Sequence, residues 1–339
     1  MTDDPRIIWL QECTSAHAPL VGGKATGLGH LLGEGLRVPP GFAVTTRAYR
    51  EHLEQIVSRA AAPDEMRRLV ESTPASALLQ DEVLAAYERL CEGQPLPVAI
   101  RSSATAEDLA DASFAGQQET YLWVIGGPEV LHSLVRCWGS LFTPQAIAYR
   151  AHRQIPVLDL AMGVVVQRMV PAEVAGVMLT IDPLTGDRSQ IAIEASYGLG
   201  AAVVNGEVTP DRFGVDKVTL EIRSRALARK SVAYRCHPGH PGTRLEPVAD
   251  DEQRQPCLSD QEVIEIATLG KRMERAMGAA QDIEWAIGPG REIFLLQARP
   301  ETVWSQKPRP SIAAAGSTVM DRILQNMRVG PGSSLPRGS

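Results

Sequence analysis

The sequence predicts an α+β fold in two lobes, and three observations carry that reading. The chain has 339 residues, and at about 150 residues per domain that length holds two domains or lobes. Helical spacing dominates Thr46 to Glu92 and returns over residues 128 to 152, while the second half alternates short β-branched strands with glycine-rich turns and closes on a β-hairpin. The boundaries expected from this are an N-terminal lobe over 1–168, a C-terminal lobe over 169–304, and a linker or tail over 305–339.

Taken in order, Lys24 to Leu32 is expected to be a helix opening from the glycine turn Gly22-Gly23, and Phe42 to Thr45 a short strand. Breaks near Pro63 and Pro74 divide the helical region that follows, because proline cannot continue a helix from within. Val98 to Arg101 is a compact strand, Ser102 to Gln118 a polar loop, and Glu119 to Val124 a second strand. Val164 to Val170 reads as a buried strand, and Gly176 to Thr180 and Ile191 to Ala195 have strand length and β-branched composition.

Residues 236 to 260, rich in proline, glycine and acids, are expected to form a surface loop. Ser259-Asp260-Gln261-Glu262 has the spacing in which a hydroxyl and a carboxylate satisfy each other's backbone N–H groups, so a helix is expected to start there and run to about Met277. Asp282 to Ile287 and Glu292 to Ala298, joined by Gly288-Pro289-Gly290-Arg291, predict a β-hairpin. Farther on, a short helix is expected over Thr318 to Met327, and Gly332 to Ser339 reads as linker. No internal repeat is present.

Composition excludes several classes of function. Thirty-four basic residues against 40 acidic ones give a formal charge of −6, which argues against a partner of nucleic acid or anionic lipid. The apolar stretches fall far short of the roughly 20 residues a spanning helix needs, so no membrane partner is expected. The opening Met-Thr-Asp-Asp-Pro puts acids where a secretory signal has basic residues, and a cytoplasmic location is expected. Cys13, Cys91, Cys137, Cys236 and Cys257 are scattered and contain no C-x-x-C, so neither a disulfide framework nor a zinc knuckle is indicated.

Five segments are candidates for chemistry. Glycines in Gly22-Gly23-Lys24 let backbone N–H groups approach phosphate oxygens and the lysine adds a point charge; the alternative is a turn that opens a helix beside a solvated lysine. A Walker A loop is excluded by Ala18 and Ala25, and a dinucleotide fingerprint after Gly198-x-Gly200 is excluded by Val203. In the second segment, Arg101 is followed by the hydroxyls of Ser102, Ser103 and Thr105, a set able to grip and cover phosphate oxygens or simply to form a polar connection.

The terminal hairpin has a sharper geometric warrant. Strand alternation puts Asp282 and Glu284 on one face and Gln297 and Arg299 on one face of the next strand, and a hairpin brings the two sets together. Carboxylates and an amide oxygen beside a guanidinium are costly inside an apolar sheet but suit Mg²⁺ with nucleotide phosphates; a surface salt-bridge ladder is the alternative. Gln167-Arg168-Met169-Val170 ends a buried strand and is either core or a linker between lobes that reads an adenine edge. His237-Pro238-Gly239-His240 lacks further ligands nearby and reads as a solvated turn.

In order, these segments resemble the N-terminal ATP-binding domain of phosphoenolpyruvate synthase, pyruvate phosphate dikinase and rifampin phosphotransferase. The resemblance rests on Gly22-Gly23-Lys24, Val38-Pro39-Pro40-Gly41-Phe42, Val98 through Thr105 with Ala112 through Thr120, Val166 through Val170, Ser196-Tyr197-Gly198-Leu199-Gly200, and Asp282-Ile283-Glu284-Trp285 with Gln297 through Thr302. It covers about residues 7 to 304.

The resemblance implies an ATP-grasp fold of two lobes clamping the nucleotide, with ATP and Mg²⁺ as cofactors. Carried across, it implies phosphate ligands at Lys24 and Arg101, with Ser102 and Thr105 in the same loop. It also implies an adenine-side linker at Gln167, Met169 and Val170, Mg²⁺ ligands at Glu284 and Gln297, and Arg299 on the transferring phosphate. Catalysis would then rest on Arg299, Arg101 and Lys24, which align and neutralise rather than react.

Two departures qualify the resemblance. Ala201 stands where relatives usually carry a glutamate that holds the ribose hydroxyls, and Glu194 is a candidate substitute. None of the seven histidines lies in the Gly/Thr/Cys-rich setting of the carrier histidine found in multidomain relatives. The expectation is therefore a natural subunit of a split enzyme, similar to phenylphosphate synthase, whose partner is a histidine-carrier subunit in a hetero-oligomer and whose final acceptor is a small hydroxylated molecule such as a phenol; the alternatives are the ATP-binding part of a phosphoenolpyruvate synthase or rifampin-type phosphotransferase, a stand-alone small-molecule kinase, and a nucleotide-sensing module.

Overall fold

The computed structural model describes residues 4–56, 63–104, 119–153, 161–237 and 242–304. Thr105 and the rest of the predicted loop to Gln118, His240, the helix expected over 318–327 and the 305–339 tail lie outside the described residues. The chain divides into one compact unit up to Thr302 and another from Val303 onward.

In the first unit the order begins β1 (Ile7–Trp9), α1 (Ala18–Gly33), β2 (Gly41–Val44), α2 (Thr46–Glu54), α3 (Pro63–Ser72) and α4 (Ala77–Leu90). It continues with β3 (Val98–Ala104), β4 (Thr120–Val124), α5 (Gly127–Gly139), α6 (Pro144–Arg153) and β5 (Met162–Arg168). Then come β6 (Val174–Leu179), β7 (Gln190–Tyr197), the short α7 (Ala201–Val204), β8 (Asp211–Asp216), β9 (Ile222–Ala226), β10 (Val232–Arg235) and β11 (Arg244–Pro247). The unit closes with α8 (Asp260–Met277), β12 (Gln281–Ile287) and β13 (Ile293–Pro300). Helices and antiparallel sheets are mixed, which is the α+β class the sequence predicts.

Two sheets organise the molecule, ordered β1-β2-β5-β3-β4 and β13-β12-β6-β7-β8-β9, with β10 and β11 as a separate pair. Tyr49, Trp138 and Phe142 fill the core between α2 to α5 and the first sheet. A second core joins Val21, Ala25, Leu28 and Leu31 of α1 to Val165 of β5 and to Ile283 and Leu295 of the second sheet. Helix α1 is therefore buried on almost every side, as a helix lacking a continuous polar face must be.

Glycine makes that burial possible at two places. Gly22 sits at φ 75° and ψ 171°, breaking α1 so that its regular part starts beyond the predicted glycine turn. At Gly27, a Cβ would lie 2.7 Å from the carbonyl oxygen of Ala298, so only glycine lets α1 pack this closely on β13.

The predicted proline breaks are found, since Pro63 opens α3 and Pro74 lies between α3 and α4. The Ser259 hydroxyl caps α8 by accepting from the N–H of Glu262, whose carboxylate accepts from Ser259 N–H at 2.8 Å. Two expectations are corrected. Ser102 and Ser103 are not loop residues: they continue β3, fully buried and paired with Val164 and Gly163 of β5. Residues 236–260 are not all loop, because β11 pairs with β10 from Val232↔Pro247 to Arg235↔Arg244. Nor does local pattern announce β9, whose residues after Ile222 are exposed in succession and show no alternation.

Candidate functional site

The predicted hairpin forms with Asp282 opposite Arg299 and Glu284 opposite Gln297. Next to this pair the register shifts: Trp285 faces Leu295, so Leu296 is an extra residue, a β-bulge. A bulge leaves its residue outside the ladder, and here the freed carbonyl of Leu296 accepts a bond from Arg101 Nη1 at 2.8 Å. Arg101 Nη2 meets Glu284 Oε2 at 2.5 Å and Gln297 Oε1 at 2.7 Å. One side chain from the first sheet thus grips both strands of the hairpin in the second.

Arg101 and Glu284 line a cleft of about 750 Å³, together with Gln167, Met169, Val170 and residues of β4, α7 and β12. The cleft is graded. Glu284 and Ala286 lie on one face of β12 two residues apart, roughly 6 to 7 Å, and Ala286 packs with Val170 and Ala175 in a small apolar cluster. A charged end therefore passes into an apolar end within the reach of one small molecule. Main-chain bonds from Arg168 N to Pro40 O and from Met169 N to Pro97 O, both 2.9 Å, hold the apolar wall in place.

The β4 side of the cleft carries a second irregularity. Between the pairs Ile100↔Tyr121 and Val98↔Val124 the chain of β4 has one residue too many, and Trp123 stands at φ 60°, an uncommon conformation for a bulky residue. Its indole Nε1 donates to His237 O at 3.3 Å and its carbonyl accepts from Gly242 N at 3.3 Å. The β10–β11 pair is thereby tied to the rim. The Tyr121 hydroxyl on this wall is buried and has no hydrogen-bond partner among the described residues.

The remaining sequence candidates are distributed around the cleft. Lys24 is buried and donates to the backbone oxygen of Ser102 at 2.5 Å, so Ser102 contributes its carbonyl while lying within β3. Gln167 lines the cleft and anchors itself through Nε2 to Pro39 O at 3.2 Å. Arg299 lies half exposed beyond the cleft wall, with Nε and Nη2 both donating to Asp282 Oδ2 at 2.9 and 2.8 Å. Glu194, the candidate ribose ligand, pairs with Arg212 at 2.8 Å and is not among the cleft-lining residues. Leu296 and Trp123 had no signal in the sequence, since both depend on register shifts.

Electrostatics separate the two hairpin carboxylates. Burial pushes the Glu284 carboxyl up, but Arg101, Lys24 and Arg299 together outweigh it and hold it below the ordinary carboxylate range. Burial also pushes Asp282 up, and there Arg299 does not fully compensate because Glu284 and Glu301 oppose it, so Asp282 stays raised.

The donor set decides which metal the site could hold. Among the described residues no cluster of three His, Cys, Asp or Glu side chains could hold an ion alone. Glu284 and Gln297 instead offer one carboxylate and one amide oxygen, hard donors of the kind Mg²⁺ uses while phosphates and water complete its shell. Mg²⁺ carried by a phosphorylated ligand fits this set.

Comparison with known proteins gives the family. Residues 18–318 match the family model described as the pyruvate phosphate dikinase, AMP/ATP-binding domain. The chain is 41% identical to the phosphoenolpyruvate synthase of Aeropyrum pernix over 89% of this chain and 43% of that protein. It is 37% identical to the probable phosphoenolpyruvate synthase of Methanocaldococcus jannaschii over 96% of this chain and 29% of that protein. A rifampicin phosphotransferase of a Streptomyces species is 40% identical over 87% and 36% respectively. The chain therefore spans less than half the length of these relatives. An ATP-grasp ligase solved with a minimal precursor aligns with 93% of this chain and 61% of its own at 12% identity and a TM-score of 0.27.

Proposed function

The chain belongs to the pyruvate phosphate dikinase AMP/ATP-binding domain family, and from that premise we propose that it is the ATP-binding part of a dikinase-like phosphotransferase. In this reading the lobes of an ATP-grasp fold, divided near Arg168, clamp ATP between them. One observation carries it: a cleft whose charged end joins Arg101 to Glu284 and Gln297 and whose apolar end is built on Val170, Ala175 and Ala286. That gradient matches a nucleotide, with phosphates at the first end and the base against Met169 and Val170 at the second.

Each residue then has a defined task. Glu284 and Gln297 would hold Mg²⁺, which when bound neutralises charge on the phosphates. Arg101 grips phosphate oxygens with two parallel donors, a match of fork to anion that lysine cannot reproduce. Lys24 and Arg299 add positive charge around the phosphate end, and Asp282 orients Arg299. Phosphoryl transfer asks little covalent chemistry of the protein, so alignment and neutralisation are sufficient contributions.

The acceptor in this proposal is a histidine on a partner subunit, with onward transfer to a small hydroxylated molecule, a phenol in the aryl phosphate synthase manner. Supporting this, no histidine among the described residues lines the cleft. His52 is buried against Val70 O, and His237 pairs with Glu246. A second reading takes the downstream acceptor from the relatives, pyruvate or a rifamycin, and is favoured by identities of 37 to 41%.

Incubation with β- or γ-labelled ATP, with and without a candidate histidine protein, tests the proposal. Label on a partner histidine, with AMP and phosphate as end products, is expected. Rapid ADP formation with a single added metabolite and no partner would replace it with a self-sufficient kinase, and absence of nucleotide binding would reject it.

A further inference from the structure

Arg101 occupies the two oxygens that the preceding reading gives to the metal. Its Nη2 is 2.5 Å from Glu284 Oε2 and 2.7 Å from Gln297 Oε1, while Nη1 is held on Leu296 O. Arg101 is nine-tenths buried, as is Gln297. In this arrangement a fixed organic cation sits where an inorganic one is expected.

We infer that Arg101 is a specificity-determining residue of the cleft: seated on Glu284 and Gln297, it keeps free divalent cations off that oxygen pair and yields the pair only to a cation arriving with a polyphosphate. The inference rests on the nucleotide reading above.

The physical reason is the fate of the displaced charge. A free cation must evict the guanidinium from Glu284 and Gln297 and offers nothing in exchange, leaving a buried charge with one backbone carbonyl. Removing one partner from a buried pair is costly because the other charge stays behind unpaired. Lys24 and Arg299, whose charges also reach Glu284, repel the incoming cation further. A polyphosphate changes the exchange, since its oxygens give Arg101 a new anionic partner of matching geometry as the metal takes over the old ones. The bulge matters here too, because Leu296 O holds the guanidinium close enough to move between partners without leaving the site.

Manganese is the probe, followed on the full chain by water-proton relaxation, which rises when Mn²⁺ becomes protein-bound. The wild-type chain is expected to take up Mn²⁺ alone about tenfold more weakly than Mn²⁺ with tripolyphosphate, the value of one charge-assisted hydrogen bond. Arg101→Gln is expected to bind Mn²⁺ alone about tenfold more tightly than wild type, and Arg101→Lys, which keeps the charge, to gain much less.

The inference is overturned if Arg101→Gln, shown folded by circular dichroism, binds Mn²⁺ alone no more tightly than wild type. It is equally overturned if wild type binds Mn²⁺ alone as well as with tripolyphosphate, a comparison that stands even where the variant fails to fold. A non-hydrolysable ATP analogue separates the two claims: no gain with the analogue, where tripolyphosphate does give one, refutes the nucleotide reading and leaves the role of Arg101 standing.

Discussion

Arg101 and Leu296, 195 residues apart, are joined by a 2.8 Å hydrogen bond from the guanidinium to the one hairpin residue that the β12–β13 register leaves over. The bulge and the arginine depend on each other. A carbonyl outside the ladder needs a donor, and a buried guanidinium needs more than one acceptor.

Substituting the hairpin side of this clasp should therefore cost stability. Glu284→Gln is expected to lose about 1.5 to 3 kcal/mol and Gln297→Leu about 1 kcal/mol in urea unfolding. Because both residues bond the same Nη2, the double variant should lose less than the sum. Strict additivity would mean that Arg101 does not couple them.

Gly22→Ala should destabilise by about 2 kcal/mol or more, combining a disfavoured positive φ with a Cβ placed against Ser103. The carbonyl of Ser103 lies 2.3 Å from that Cβ position, so the damage also falls on the Lys24 contact with β3. Thermal unfolding reads the loss, and an unchanged melting temperature would contradict this packing.

The pair Lys230–Asp211, 2.7 Å apart and fully buried, has no part in the cleft. Asp211 also accepts from the N–H groups of Ala228 and Cys257 at 2.8 and 3.0 Å, so it pins two segments to β8. Asp211→Ala should cost about 3 to 5 kcal/mol by stranding the lysine. Replacing both residues with apolar ones of similar volume should cost much less, which chemical denaturation of the two variants can compare.

The hairpin carboxylates should shift in opposite directions from their ordinary ranges. Glu284, depressed by Arg101 after burial is offset, contributes stability that is present above its unfolded range and lost as pH falls through its lower folded value. Asp282, raised chiefly by burial, contributes in the opposite sense: its term is full at low pH and fades as pH rises through its folded value. Carboxyl carbon shifts in an acid titration should show Asp282 taking up its proton above the ordinary aspartate range and Glu284 below the ordinary glutamate range. A shift of either in the other direction would refute the assignment.

Thiol reactivity should separate the cysteines. Burial pushes Cys13 up to about 12 and raises Cys137 and Cys257 as well. Cys236 alone is half-buried rather than buried. Titration with a thiol-specific disulfide reagent should label Cys236 first in the native chain and the rest only on unfolding, and mass spectrometry of the labelled peptides checks which residue reacts.

Much of the local architecture is legible in residue order. The Ser259 and Glu262 spacing marks the start of α8 because capping is a contact within one turn. Alternation sets Asp282 and Glu284 against Arg299 and Gln297 because strand faces repeat every two residues. The prolines near 63 and 74 mark helix limits for the same local reason. Conversely, Ser102 and Ser103 have loop chemistry, yet they lie in β3 because pairing with β5 buries them. The exposed strands β9 and β11 carry no alternation and exist through their neighbours.

By itself, then, the sequence determined the α+β class, the facing of the hairpin side chains and the family to which the chain belongs. The tertiary structure alone decided that Arg101 closes on Glu284, Gln297 and Leu296, that Trp123 ties β4 to the β10–β11 pair, and that Lys24 meets Ser102. The physical reason is range. Periodicity and capping act over a few residues and are written in local order, whereas a register shift, a freed carbonyl and a buried cation's choice among distant acceptors are settled only when the two sheets and α1 pack together.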